Sequence, residues 1–399
     1  MPDSDATRLL CVEARGERLG YVAIDSSIGG SARGGLRLVN NLTETETRDA
    51  AHAMTLKYGL LGLSLGGAKA GVIGDPETGV DEKRARLLAF GRAIEPLLRS
   101  REYIPDADLG TNAQDIRWML ETLGLPVQYR EWRDSRSGYW TACSATGAIK
   151  AAFEFQGTSI AGKTAAIEGY GAVGSALARR LSEHGVRIVA ISTSQGAIYD
   201  PAGINLDQTE QLARTHRHRM VQEYPAQLTP CESLFELEVD ILCPCARNQS
   251  IHAANEAEVK ARLIGPGANN PVVATAERML CDRGVLVLPD FLSNCGGVLG
   301  GTMSFASVSH RRIARFVERR VAEMTNKLLA RARHDGDSLR AVAERVAMER
   351  FQRIRSSGGN RSKLFLLFLD YYRRGRVPGW PIGVISLIYF SRITQLGLE

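Results

Sequence analysis

Lys69 stands by itself among glycines and small or apolar side chains in LSLGGAKAG, residues 63–71. A lysine in a dry loop of this kind loses solvation of its charged form, so its pKa falls and the amine exchanges protons near neutral pH. That is the behaviour needed for chemistry on a carbonyl or an imine. Lys57 lies upstream in AHAMTLKYG (51–59), and IPDADLGT (104–111) supplies Asp108. Two lysines and a carboxylate suit the handling of a 2-oxo acid. Taken singly, each has a plainer reading, as a surface lysine or as a helix or turn cap.

A second set of residues points to a dinucleotide. KTAAI (163–167) reads as a short buried strand, GYGAVG (169–174) follows, VGSALARRLSEHG (173–185) has apolar residues at helical spacing, and VRIVAIS (186–192) reads as a second strand. Strand, glycine loop, helix and strand at this spacing form the βαβ unit that binds NAD or NADP. Gly169 permits the tight turn, Gly171 lets the backbone approach a pyrophosphate, and Gly174 allows close helix packing. Ala172 and Val173 open the helix whose N-terminus faces the phosphates. At the end of the second strand, where an acidic residue ordinarily holds the ribose hydroxyls, stand Thr193 and Ser194. With no carboxylate there to repel a 2′-phosphate, both NAD and NADP stay open. Arg179, Arg180 or the run THRHR (215–219) are candidates to reach such a phosphate, or are solvent-facing arginines.

The elements that must position these residues exceed one core. A chain of 399 residues with 44% hydrophobic and 24% charged residues is expected to form about two soluble domains. The start, MPDSDATRLL, is acidic and polar and does not read as a secretion signal, so a cytoplasmic location is expected. Seven cysteines without metal-type spacing fit reduced thiols, and no metal site is expected. Cys243 and Cys245 read as buried small thiols. The net charge of +6 is concentrated in arginine-rich stretches such as HRRIARFVERR (310–320). Their interleaved glutamates favour solvated helix faces over a nucleic-acid or lipid surface.

The order of motifs resembles the glutamate/leucine/phenylalanine/valine dehydrogenases from about residue 20 to 355. It is carried by GGLRL (34–38), MTLKYGLLGLSLGGAKAGVIGDP (54–76), IPDADLGTNAQDIRWM (104–119), SATGAI (144–149), GYGAVG, VDILCPCA (239–246), GPGANNPVVATAE (265–277) and PDFLSNCGGV (289–298). The resemblance implies NAD(P)-dependent oxidative deamination of an L-amino acid to a 2-oxo acid and ammonia, reversibly, in a homo-oligomer. It makes Lys69 catalytic, Asp108 its proton-transfer partner and Lys57 the anchor of the α-carboxylate. Gly34 and Gly35 would lie against substrate, Asn269 near nicotinamide and substrate, and Asn294 beside the pocket. Thr193 and Ala246, at the end of VDILCPCA, join Asn269 and the glycine loop at the cofactor. Arg33 stands where glutamate enzymes grip the distal carboxylate with a lysine; it either does this or pairs with a surface carboxylate. Departures are Gly301 in place of a pocket serine, Pro266 and Val272. They leave room for an unusual amino acid, or for a weakly active amino-acid or dinucleotide sensor.

The expected fold is α/β with two domains. Residues 1–142 form a mixed-sheet substrate and oligomerisation domain, to which helices of about 326–355 return. Residues 143–325 form a Rossmann-like, doubly wound parallel domain, with strands near 186–191, 239–243 and 285–288 and helices near 255–261 and 273–282. Substrate is expected in the cleft between domains, which would close to expel water. Residues 356–399 form an extension expected to pack on the body or a neighbouring subunit, with no stable membrane insertion.

Overall fold

The computed structural model describes residues 7–14, 16–127, 136–357, 371–372 and 376–398. The protein is an α/β chain in two compact units. One holds residues up to 135 with 303–308 and 344–395, and the other holds 136–302, 309–343 and the last few residues.

The first unit runs β1 (Arg8–Ala14), β2 (Glu17–Ile24), β3 (Ala32–Val39), α1 (Glu44–Leu61), β4 (Gly66–Ile73), α2 (Val80–Ala93), α3 (Glu95–Arg99), β5 (Tyr103–Ala107) and α4 (Ala113–Thr122). Its sheet has the order β1-β2-β4-β3-β5 and is mixed: β2 runs antiparallel to its neighbours β1 and β4, while β3 runs parallel to both β4 and β5. One face carries Leu36, Leu38, Ala68, Ala70 and Val72, which pack with Leu87 and Phe90 of α2 and Ile116 and Met119 of α4. The other face lies under α1. A Cβ at Gly67 would strike Thr55 of α1, so the glycine is what lets that helix sit on the sheet. Thr43 caps α1 through Glu46 N, and Gly62 ends it in the left-handed region at φ 68°.

The sequence reading of LSLGGAKAG as a loop is corrected: Lys69 sits in the middle of β4. Small residues make it look like a loop, but between two paired strands and beneath a helix they are what a fully buried strand needs. The apolar stretch 82–100 divides into α2 and α3 around Ile94, where Pro96 withholds a backbone donor.

The second unit contains α5 (Ser137–Phe155), β6 (Thr164–Glu168), α6 (Ala172–Glu183), β7 (Arg187–Thr193), β8 (Gly196–Tyr199), α7 (Leu206–His216), α8 (Met220–Glu223), β9 (Leu228–Thr229), β10 (Ile241–Pro244), β11 (Leu263–Ile264), α9 (Ala274–Asp282), β12 (Leu286–Val287), α10 (Asp290–Ser293), the start of α11 (Gly296–Phe305) and α12 (His310–Asp335). Its sheet, β12-β11-β10-β6-β7-β8-β9, is parallel from β12 to β7. β8 and β9 extend it antiparallel, so the expected parallel sheet is in fact mixed at one edge. The short turn Thr193 to Gly196 folds β8 straight back on β7, which excludes a crossover. The expected helix at 255–261 is only a 3-10 turn, Glu256–Glu258.

The expected domain boundary at residue 142 falls inside α5, a continuous helix, and the division between units lies at its start. Of the stretch 326–355 expected to return to the first unit, residues 326–343 belong to the second and 344–355 to the first. The apolar stripe of α12, Ile313, Val317, Val321, Met324 and Leu328, is buried, each side chain contributing about 1.5–3 kcal/mol. Gly147 of α5 admits the α12 backbone at Glu318, where any side chain would collide. Glutamates interleave the arginines of α12 as expected, with Arg320 paired to Glu323 and Arg180 of α6 to Glu318.

α13 (Leu339–Ser356) spans the division, and α14 (Trp380–Ile393) lies in the first unit. The extension packs on the body there. Arg350 of α13 donates to the carbonyls of Gln395 at 2.8 Å and Ile393 at 2.6 Å, and a side chain at Gly62 would strike that same Ile393 carbonyl. The apolar run KLFLLFLDYY falls almost wholly outside the described residues. Among the described residues no helix is long and apolar enough to cross a membrane.

Candidate active site

In the first unit, side-chain alternation decides what meets what. Arg33, Gly35 and Arg37 of β3 share a face with Gly67, Lys69 and Gly71 of β4 and with Asp106 of β5. Asp108 follows β5 directly. Its carboxylate pairs with the Lys69 amine and accepts from Arg37 Nε at 3.2 Å. Arg37 NH1 also reaches Glu46 of α1 at 2.5 Å. Thr111 holds the Asp108 turn: its hydroxyl donates to Leu36 O at 2.7 Å and accepts from Asp108 N at 3.0 Å. Lys69 and Arg37 are buried to 4% and 6% exposure, so these charges interact with little screening.

The two partners respond as buried charges should. Burial lowers the Lys69 amine from the ordinary lysine range, and the pull of Asp108 in the other direction does not cancel it. Burial pushes the Asp108 carboxyl up, but the charges of Lys69 and Arg37 outweigh this and hold it well below the usual carboxylate range. The result is an ionised carboxylate against an amine that holds its proton less tightly than an exposed lysine does.

Gly34 and Gly35 have a structural reason different from the expected contact with substrate. A Cβ at Gly34 would collide with Ala68 O, and one at Gly35 would lie 2.7 Å from Asp108 Cβ. The first glycine admits the neighbouring strand, and the second leaves the space in which Asp108 stands. Tyr103 donates to Gly34 O at 3.1 Å and Tyr58 to Arg33 O at 3.3 Å, fixing this stretch from both sides. Lys57 is buried on α1, next to Tyr58. Arg33 is held in a two-bond pair with the part-buried Asp106, Nε to Oδ2 at 2.5 Å and NH2 to Oδ1 at 2.7 Å. Sequence reasoning missed Arg37, Glu46 and Asp106. The signal for Arg37 was its place two residues after Gly35 in GGLRL, hence on the same strand face.

In the second unit the glycine loop is built as the sequence suggests. Gly169 takes φ 86° and its Cβ position is filled by Ala246; Gly174 packs against Gly169 O. Gly171 caps α6 and faces open space, leaving the helix N-terminus with Ala172 and Val173 accessible to an anion. The GPGANN loop crosses nearby: a Cβ at Gly267 would meet Val173 at 2.8 Å. Asn294 ends α10 and donates through Nδ2 to Ala268 O at 2.8 Å and to Asn269 Oδ1 at 3.0 Å, while its own Oδ1 is buried without a partner among the described residues. Gly301 faces open space, and Val272 is a core residue.

Thr193 ends β7, but its hydroxyl donates to His218 O at 2.6 Å. This draws the exposed turn Arg217–Arg219 to the strand end, while Arg179 is committed to Asp207 and Glu210, and Arg180 to Glu183 and Glu318. Of the basic candidates for a 2′-phosphate, THRHR is joined to Thr193 by this hydrogen bond. Glu168, directly before the loop, was also missed. Burial raises its carboxyl to about 7, and Oε2 has no partner among the described residues. The Cys243 thiol is buried and pushed up, as a structural thiol is.

Comparison with known proteins agrees in both units. Residues 135–359 match the family described as Glutamate/Leucine/Phenylalanine/Valine dehydrogenase, and 15–124 match the Glu/Leu/Phe/Val dehydrogenase dimerisation domain. The chain is 32% identical over 359 residues to the glutamate dehydrogenase of Aeropyrum pernix, covering 83% of this chain and 84% of that protein. It is also 32% identical over 295 residues to an NAD-specific glutamate dehydrogenase of Staphylococcus aureus, 70% of each chain. Among solved structures, the hetero-hexameric glutamate dehydrogenase of Thermus thermophilus in its Leu-bound form superposes with a TM-score of 0.75 at 26% identity, over 90% of this chain and 91% of that one.

Proposed function

We propose, from the premise that the chain belongs to the glutamate/leucine/phenylalanine/valine dehydrogenase family, that it carries out the reversible oxidative deamination of an L-amino acid to a 2-oxo acid and ammonia with Lys69 and Asp108 as its acid–base pair. The observation that carries this reading is the buried cluster of Lys69, Asp108 and Arg37 on one sheet face. A surface lysine or a turn cap has no need of two desolvated cations around one carboxylate.

In this reading the first unit binds substrate and the second binds NAD or NADP. Lys57 holds the α-carboxylate as a fixed cation. The bound NAD(P)⁺ supplies the chemistry of accepting the hydride from the substrate α-carbon. Lys69, with its lowered pKa, removes a proton from the water that adds to the imine carbon and stabilises the oxygen that forms there. Asp108 carries protons between Lys69 and the substrate nitrogen. Its proton affinity is low while both flanking cations are charged and rises when Lys69 gives up its proton. Water addition forms the carbon–oxygen bond; protonation of the nitrogen then lets the carbon–nitrogen bond break as the new hydroxyl gives its proton to Lys69, releasing ammonia and the 2-oxo acid. Arg37, tied to Glu46, keeps Asp108 aimed at Lys69.

The residues present fit the dinucleotide. Gly171 leaves the α6 N-terminus open for the pyrophosphate, and Asn294 Oδ1, beside Asn269 and without a partner among the described residues, suits a carboxamide donor. Thr193 and Ala246 complete the cofactor side. A homo-oligomeric assembly is part of the proposal, supported by the match to a dimerisation domain.

The test is formation of reduced nicotinamide, followed by absorbance, with purified protein, a panel of L-amino acids and either NAD⁺ or NADP⁺. Turnover is expected, with Lys69→Ala lowering kcat/KM by roughly 10²–10⁴. Dinucleotide binding without turnover of any amino acid would replace this reading with that of a sensor.

A further inference from the structure

We propose that Asp290, locked by Arg340, is the positioning residue that aims Asn269 and Asn294 at the bound dinucleotide. This rests on the cofactor side of the reaction assigned above and adds the residues that hold it in place, all of which lie in the second unit.

The loop to be aimed, GPGANN (265–270), leaves the carboxyl end of β11. β7 lies on one side of β6, and β10, β11 and β12 lie on the other. In a doubly wound sheet the crevice at the strand ends beside such a reversal is where a ligand sits. α10 clasps the loop along a single helical turn. Ser293 Oγ donates to Pro266 O at 2.7 Å, Asn294 holds Ala268 and Asn269 as described, and the Asp290 Oδ2 atom accepts from Asn270 N at 3.0 Å. Asn270 has φ 45°, in the left-handed region, and its carbonyl accepts from Gln249 N at 2.9 Å. A side-chain-bearing residue keeps that conformation only where its surroundings fix it. Freed from Asp290, Asn270 relaxes to negative φ and the peptide joining it to Asn269 turns with it.

Asp290 is itself fixed. It is 1% exposed, and its Oδ1 accepts from Arg340 NH2 at 3.3 Å. Arg340 Nε donates to the buried Glu277 of α9 at 2.6 Å, and its guanidinium lies 5.8 Å from the centre of the Phe291 ring. Residues of α9, α10 and the start of α13 thus set the direction of one carboxylate. Asp290 also has a plainer reading, as a favourable charge at the start of a helix. That role requires neither the bond to Asn270 nor an arginine partner.

The experiment titrates wild type, Asp290→Ala, Asp290→Asn and Arg340→Lys with NADH and NADPH by fluorescence. Hydrogen exchange of the peptide 265–272 is followed in the unliganded proteins, and kcat and KM are measured with whichever amino acid is turned over. Asp290→Ala should raise the dinucleotide Kd about tenfold, the worth of one charge-assisted hydrogen bond, and speed exchange of that peptide. It should lower kcat by roughly 10², with little change in KM for the amino acid, because the reacting groups are misaligned and not lost. Asp290→Asn, which keeps an oxygen for Asn270 N, should fall between wild type and Asp290→Ala, and Arg340→Lys should weaken binding in the same direction. An unchanged Kd in Asp290→Ala once thermal unfolding shows it folded, or weaker binding with exchange unchanged, overturns the proposal. If Asp290→Ala does not fold, Arg340→Lys is judged by the same two criteria. A wild type that binds neither dinucleotide overturns the proposal together with the cofactor reading. One that binds but turns over no amino acid rejects the assigned reaction alone, and binding and exchange still decide the role of Asp290.

Discussion

At the scale of single residues, the site is a problem of desolvated charge. Lys69 and Asp108 are useful to each other because burial destabilises the amine's charge while two cations stabilise the carboxylate. Glu168 shows the opposite outcome: the exposed Arg247, 3.9 Å away, does not offset burial, which raises its carboxyl to about 7. A carboxyl raised from 4.5 in the unfolded chain binds its proton more tightly when folded. Its contribution is therefore fully present below the unfolded value and is lost as pH rises through the folded one. Glu168→Gln, which stays neutral, should gain stability relative to wild type between about pH 4.5 and 7, by at most roughly 3 kcal/mol. Thermal unfolding at several pH values checks this. A stability difference that does not vary with pH would rule out a buried protonated Glu168.

At the scale of elements, glycines decide how closely helices and strands approach. Gly174 brings α6 onto the end of β6, where a methyl group would press into Gly169 O. Gly174→Ala should push α6 outward and weaken dinucleotide binding by about tenfold or more, with a stability loss of about 1–3 kcal/mol from overpacking. Fluorescence titration with NADH and NADPH measures the first effect and denaturant unfolding the second. Unchanged affinity would mean that the helix N-terminus does not meet the cofactor. By contrast, Gly171→Ala has open space for its methyl group and should fold normally, so it separates loss of binding from loss of structure.

At the scale of the whole molecule, one chain leaves Ile385, Ile388 and Tyr389 of α14 exposed, three large apolar side chains at helical spacing. The assembly proposed for this chain gives a simple expectation: light scattering should report a mass that is a multiple of 43.5 kDa. A monomer that turns over an amino acid would show that assembly is unnecessary for activity and would remove the oligomer from the proposal.

The sequence by itself determined the family, the α/β class, the dinucleotide-binding βαβ unit, and Lys69 and Asp108 as a candidate pair. These are legible because they depend on local patterns: glycines where the backbone turns or packs tightly, apolar periodicity, and short motifs in a set order. The tertiary structure decided the rest. It placed Lys69 on a buried strand rather than in a loop, since only strand pairing distinguishes a small-residue strand from a glycine turn. It assigned the end of α12, from residue 326, to the second unit, since an amphipathic helix does not announce which surface will cover its apolar stripe. It also joined Arg33 to Asp106 and Arg37 to Asp108, residues more than seventy positions apart. Charge pairing over that separation is set by sheet register, which no local stretch of sequence encodes.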